Sequence, residues 1–125
     1  MQVLVTATWL QALDDAIGFL LANEALAAAQ RLEAVMLDHW PALLADHPQA
    51  GRDYAGRNLP TLQTEQMRTQ VLDSYGPNAQ LREFVEGDYL ALYAIRNDVL
   101  YLLTLRHHRQ SGYEFSPAPE PDSTG

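Results

Sequence analysis

The 125 residues carry no cysteine, 47% hydrophobic and 19% charged side chains, enough for one domain to bury a core without disulfides and without a zinc-thiolate site or thiolate nucleophile. Sixteen acidic residues against eight basic ones, all arginine, give a net charge of -8, which argues against a non-specific nucleic-acid coat. No apolar run reaches membrane-spanning length and the N-terminus lacks a basic leader, so a cytoplasmic protein without membrane contact is expected.

QVLVTA, residues 2 to 7, is short, alternating and β-branched, and predicts a strand. Thr8 stands where an N-cap belongs, with Leu10, Leu13, Ile17, Leu20 and Leu21 following at helical spacing and Asp14 and Asp15 facing outward. Asn23 is placed to cap a second helix, in which Leu26, Ala29, Leu32, Met36 and Trp40 keep the period until Pro41 kinks or ends it. Small residues in ANEALAAAQ let the two helices approach as a hairpin. Residues 46 to 58 are polar and turn-forming and predict a loop. Residues 59 to 73 are compatible with a short helix, which YGPN at 75 to 78 would break.

The last third has the pattern of a meander: QLREFVE, a Gly87-Asp88 turn, YLALYAIR, an Asn97-Asp98 turn, and VLYLLTLRHH. Simple alternation sends Leu100, Leu102 and Thr104 to one face and Val99, Tyr101, Leu103 and Leu105 to the other, making the last strand apolar on both sides and central in its sheet. Three prolines in SPAPEPDSTG predict that residues 116 to 125 form a flexible or extended tail after a single domain over 1 to 115. The fold class is therefore α+β: an N-terminal strand, an α-helical hairpin, then a three-stranded antiparallel meander.

In this order, Asn23, the loop from Pro48 to Arg52, Leu81-Arg82, Gly87 to Tyr89 and Arg106 to Arg109 resemble the RelE/ParE family of bacterial type II toxins over about residues 2 to 110. Two departures accompany the resemblance: residues 59 to 79 form a longer connection than is usual there, and the chain is acidic. The resemblance implies a growth-arresting toxin held inactive by a cognate antitoxin in a hetero-oligomer. It also implies one of two mechanisms: ParE-like poisoning of DNA gyrase, or RelE-like, metal-free cleavage of messenger RNA on the ribosome. A degenerate relative that retains only antitoxin binding is the third reading. The acidic balance and the absence of lysine favour gyrase, because entry into a ribosomal A site favours a basic surface.

A metal-free ribonuclease needs cations on the phosphorane and groups that exchange protons with the 2'-hydroxyl and the leaving oxygen. Arg82, Arg106 and Arg109 are the candidate cations, and His107, His108 and Tyr113 the candidate proton carriers; if the protein is not a nuclease, the same residues are expected to bind its target. Alternation puts Arg106 and His108 on one side and His107 on the other, and Arg82 shares the face of Arg106 if their strands lie in one sheet. The competing reading is that Arg106 to Gln110 is only the wet end of a buried strand. Tyr89, Tyr93 and Tyr101 are expected to be sheet residues with solvated hydroxyls. No histidine pair has zincin spacing, so neither metal nor other cofactor is expected. Trp9, Leu13 and Phe19, where exposed, are the expected antitoxin anchors.

Overall fold

A computed structural model describes residues 1–54 and 62–109. Tyr113 and the proline-rich tail lie outside the described residues.

Strand β1 (Gln2–Val5) runs parallel to the last strand, with Val3 opposite Leu100 and Val5 opposite Leu102. Thr6 makes the transition to helix α1 (Ala7–Ala22). Its N–H (3.2 Å) and Oγ1 (2.7 Å) both donate to the Leu102 carbonyl, while Oγ1 accepts from the Trp9 N–H at 3.2 Å. The cap is thus Thr6 rather than Thr8: the Leu102 carbonyl holds Thr6 extended at the sheet edge, and Thr8 falls inside the first turn. A cap of this kind contributes about 1 kcal/mol.

Asn23 closes α1 instead of opening the next helix. Its side-chain Nδ2 donates to the Phe19 carbonyl at 2.8 Å, and Glu24 takes a left-handed φ of 58° to reverse the chain. Helix α2 (Leu26–Ala34) then leads through a π-helical turn (Val35–His39) into α3 (Trp40–Asp46). Pro41 does not end this helix. The wide turn before it lets the Trp40 N–H reach the Val35 carbonyl, and proline, which has no N–H, sits in the first turn of α3. The turn also answers a periodicity problem. Leu32, Met36, Trp40 and Leu44 are all buried at intervals of four. In a regular α-helix three such steps would rotate the last residue by about 120° from the first. Local underwinding takes part of that rotation back and keeps all four against the sheet.

Strand β2 (Arg52–Asp53) is a two-residue edge within the predicted loop, antiparallel to β3 (Gln80–Glu86). Helix α4 (Leu62–Tyr75) agrees with the short helix expected there, and ends at Gly76, whose φ is 97°. β3, β4 (Tyr89–Arg96) and β5 (Val99–His107) form the expected meander, inside a mixed five-stranded sheet of order β1-β5-β4-β3-β2. Trp9, Met36, Trp40, Phe84, Tyr93 and Leu102 fill the layer under α1 to α3. Met67, Val71, Leu81, Leu92 and Leu103 fill the layer under α4.

The β4–β5 ladder contains a bulge. Leu92 pairs with Thr104 and Tyr93 with Leu102, so Leu103 is the extra residue and the alternation changes phase after it. Leu105 consequently joins Leu100 and Leu102 in the α1–α3 layer, whereas simple alternation puts it with Leu103.

Candidate functional site

The phase change decides where the C-terminal cations lie. Arg106 pairs with Leu90, a residue of the α4-side layer. Arg82 pairs with Tyr93 and lies between Leu81 and Glu83, on the opposite, α1–α3 side of the sheet. The two arginines therefore do not share a face, contrary to the expectation from uninterrupted alternation.

Arg82 has a defined partner set of its own. Its Nε donates to the Gly51 carbonyl at 2.9 Å, and its Nη2 donates to the carbonyls of Gly51 and of Gln49, the latter at 3.2 Å. Beside it the Tyr93 hydroxyl accepts from the Gly51 N–H and donates to the Pro48 carbonyl, both at 2.8 Å. The predicted wet hydroxyl is therefore an internal bracket, and burial pushes the Tyr93 pKa up against the opposing pull of the Gly51 N–H and Arg82. Arg52, in the same loop, donates to the buried carboxylate of Glu83 from Nε (3.2 Å) and Nη2 (2.9 Å). Arg82, Tyr93 and Glu83 thus fasten residues 48 to 52 to the sheet.

At the other end of the sheet, β5 stops at His107 and strand alternation stops with it. The His108 N–H donates to the Asp88 carbonyl at 2.8 Å, and its Nδ1 lies 3.7 Å from an Asp88 carboxylate oxygen. His107 pairs with Tyr89 and meets its ring edge-on, with centroids 5.2 Å apart. The two imidazoles are not on opposite sides: their centroids are 4.5 Å apart, because the turn swings His108 back over His107. Arg109 follows, and its N–H donates to His107 Nδ1 at 3.1 Å, a bond that requires that nitrogen to be unprotonated.

Burial lowers the His107 pKa below 6.5; the electrostatic influence of His108 and Arg109 acts in the same direction and that of Asp88 opposes it. The folded protein therefore binds this proton less readily than the unfolded chain. The stability that His107 contributes is complete above about pH 6.5 and is lost as pH falls through that value toward the folded pKa. The imidazole is expected to titrate below 6.5 in a nuclear magnetic resonance pH series, with the Arg109 amide shifting in step; a midpoint at or above 6.5 would refute this account.

His107 and Arg109 also line a groove of about 1010 Å³ between the helical hairpin and the end of the sheet. Ala12, Asp15, Ala16 and Phe19 of α1, Arg31 and Leu32 of α2, Met36, Trp40, and Glu86 to Tyr89 around the β3–β4 turn are among the residues that form its walls. Of the three apolar residues expected to face a partner, Phe19 stands at the groove and is 68% exposed, while Trp9 (0%) and Leu13 (4%) are core residues with no surface to offer. Helical spacing marks all three as apolar without saying which stripe the sheet covers. Arg31 and Glu86 carry no mark in the sequence pattern, and Gly87 to Tyr89 are marked there as a turn and by the family resemblance, not as a wall of a groove. The available signal was that Arg31 is the sole basic residue before position 52.

Among the described residues no three His, Cys, Asp or Glu side chains are grouped to hold a metal ion, and no helix is long and apolar enough to cross a membrane. In comparison with known families, the model described as "ParE toxin of type II toxin-antitoxin system, parDE" matches residues 3–112. No curated protein and no solved structure matches the chain.

Proposed function

Because the chain belongs to the ParE toxin family of type II toxin-antitoxin systems, we propose that it arrests growth by binding DNA gyrase, and that its antitoxin neutralises it by occupying the groove between the helical hairpin and the sheet. The observation that carries the binding mechanism is the separation of Arg82 from Arg106. Phosphoryl transfer without metal needs cations and proton carriers converging on one phosphate. Here one cation is bonded to the Gly51 and Gln49 carbonyls on one face, and the other lies on the opposite face. A protein that works by binding needs no such convergence. The net charge of -8 supports the same preference over entry into ribosomal RNA.

The target contact is assigned to the end of β5, through Arg106, His107, His108 and Arg109, with Tyr113 four residues further along the sequence as a further candidate. His107 and Arg109 belong to the groove as well, so an antitoxin seated there covers part of the target contact, which gives neutralisation a steric cause.

Induced expression of the chain alone is expected to produce filamentation and DNA damage while messages stay intact, and the purified protein is expected to inhibit gyrase supercoiling. An Arg106→Ala/His108→Ala variant is expected to lose at least tenfold in potency while still folding and binding antitoxin, since neither side chain lines the groove. Rapid cessation of translation with cleaved messages would overturn the gyrase reading in favour of the nuclease.

A further inference from the structure

We propose that His107 positions the target contact instead of making it: its imidazole pins the main chain of Arg109, so that His108 and Arg109 are presented in a fixed and acid-sensitive arrangement. This rests on the reading of the end of β5 as the surface that meets gyrase, and divides that surface into residues that touch and one that holds. His107 is the last residue of β5, so the strand ladder no longer directs the chain beyond it. The His108 N–H donates to the Asp88 carbonyl at 2.8 Å, which fixes His108 but does not reach Arg109. Arg109 is held by His107 itself, through the bond from its N–H to Nδ1 at 3.1 Å. The same ring meets Tyr89 edge-on and has its centroid 4.5 Å from that of His108, while Arg106 Nη1 lies 3.5 Å from the His107 carbonyl. His107 is thus in contact with all three of the other residues at the strand end.

A side chain that accepts the N–H two residues on is the arrangement of an Asx turn, in which Asn or Asp supplies the oxygen. His107 does the same with a ring nitrogen, and that nitrogen can be protonated. A protonated imidazole has no acceptor, so the bond to Arg109 is lost and a positive charge is added beside His108 and Arg109. The charged and titratable groups around the ring come from several elements. Arg106, His108 and Arg109 belong to its own strand end, Asp88 and Tyr89 to the β3–β4 turn, and Glu86, with His39 beside it, Asp15 and Arg31 to the other walls of the groove. Burial is the largest influence on the ring and disfavours its charged form. The arrangement is therefore complete above about pH 6.5 and is lost as pH falls through the lower value of the folded protein.

The test is inhibition of gyrase supercoiling by the purified full chain without antitoxin, from about pH 5.5 to about pH 8, for the parent, His107→Phe and His107→Asn. Phenylalanine keeps a ring against Tyr89 but offers no acceptor, and is expected to lose about tenfold in potency at neutral pH, because the contact is no longer preorganised. Asparagine restores the acceptor without a titrating ring and is expected to recover most of that loss. Dividing the parent's potency by that of His107→Asn at each pH removes the responses of gyrase and of His108 to acid. The ratio is expected to be constant above about pH 6.5 and to fall severalfold below it. Hydrogen exchange at the Arg109 amide is expected to be slower in the parent and the asparagine variant than in the phenylalanine variant. Circular dichroism checks folding, and the parent-to-asparagine ratio decides the matter even where His107→Phe does not fold. An asparagine variant as weak as the phenylalanine one would show that the imidazole itself meets the target. A flat ratio across the whole range, or a phenylalanine variant as potent as the parent, would equally overturn the positioning role while leaving the gyrase reading in place. A parent without effect on gyrase at any pH would remove that reading and this inference with it.

Discussion

Gly51→Ala is expected to lower the stability of the fold by about 3 kcal/mol or more, an effect out of proportion to one methyl group. A Cβ at this position would stand 2.6 Å from the Tyr93 hydroxyl oxygen, 2.7 Å from its Cε1 and 2.8 Å from the Glu83 carbonyl oxygen. Tyr93 is fully buried in the centre of β4 and cannot swing aside, and the Glu83 carbonyl is backbone of β3. The loop must lift instead. Lifting it breaks the Gly51 N–H bond to Tyr93 and the Arg82 bonds to the Gly51 carbonyl, and it strains the two-residue pairing of β2 with β3. Overpacking costs about 1 to 3 kcal/mol and each buried polar group left unpaired a further 1 to 3 or so. At this chain length the sum corresponds to a fall in melting temperature on the order of 10 °C. Thermal unfolding followed by circular dichroism measures it, and a midpoint within 2 °C of the parent would show that the loop accommodates the methyl and that the bracket does not hold it. Tyr93→Phe does not rescue the alanine variant, because the contact with the Glu83 carbonyl remains.

That bracket illustrates what could and could not be read from the residues. The strand, helical hairpin and meander followed from periodicity, because QVLV, the Leu32–Met36–Trp40 series and the Gly87-Asp88 and Asn97-Asp98 turns each carry a local physical signal. Gly51 could be placed only in a motif. The reason for a glycine there is the approach of Tyr93, 42 residues away, which no local pattern records. Strand β2 escaped notice for the same reason: two exposed residues in a polar stretch become a strand solely through pairing with β3.

The bulge had the largest consequence for the placement of the candidate site residues. Nothing in VLYLLTLRHH distinguishes Leu103 as an extra residue, since Leu102, the small Thr104 and Leu105 around it are each suited to either face of a covered sheet. One uncounted residue is enough to transfer Arg106 to the far side of the sheet from Arg82. The end of β5 was legible as a place where polar residues collect, but the arrangement of Arg106, His107 and His108 was not, because it depends on that bulge and on the turn held by Asp88.

The other large effect is expected at Trp40, where Trp40→Ala should cost about 3 to 5 kcal/mol and Trp40→Phe a third of that or less. The indole is 1% exposed, meets the Phe84 ring edge-on with centroids 5.0 Å apart, and lies 6.4 Å from the centroid of Trp9. It is buried because the π-helical turn holds the helix face in phase from Leu32 to Leu44, so truncation leaves a cavity between α3 and the sheet that neither layer is free to close. Phenylalanine keeps most of the packing and gives up the hydrogen bond from Nε1 to Glu86, whose carboxylate is accessible enough to be rehydrated. Apolar packing, not this hydrogen bond, is thus expected to dominate. Urea unfolding of Trp40→Ala, Trp40→Phe and Glu86→Gln separates the contributions: a phenylalanine variant as unstable as the alanine one, or a Glu86→Gln variant costing more than about 2 kcal/mol, would assign the stability to the hydrogen bond instead. Trp40 and Glu86 both line the groove, so, on the proposal that the antitoxin sits there, Trp40→Ala should also weaken antitoxin binding at temperatures where the variant is still folded, whereas Trp40→Phe should leave it nearly intact.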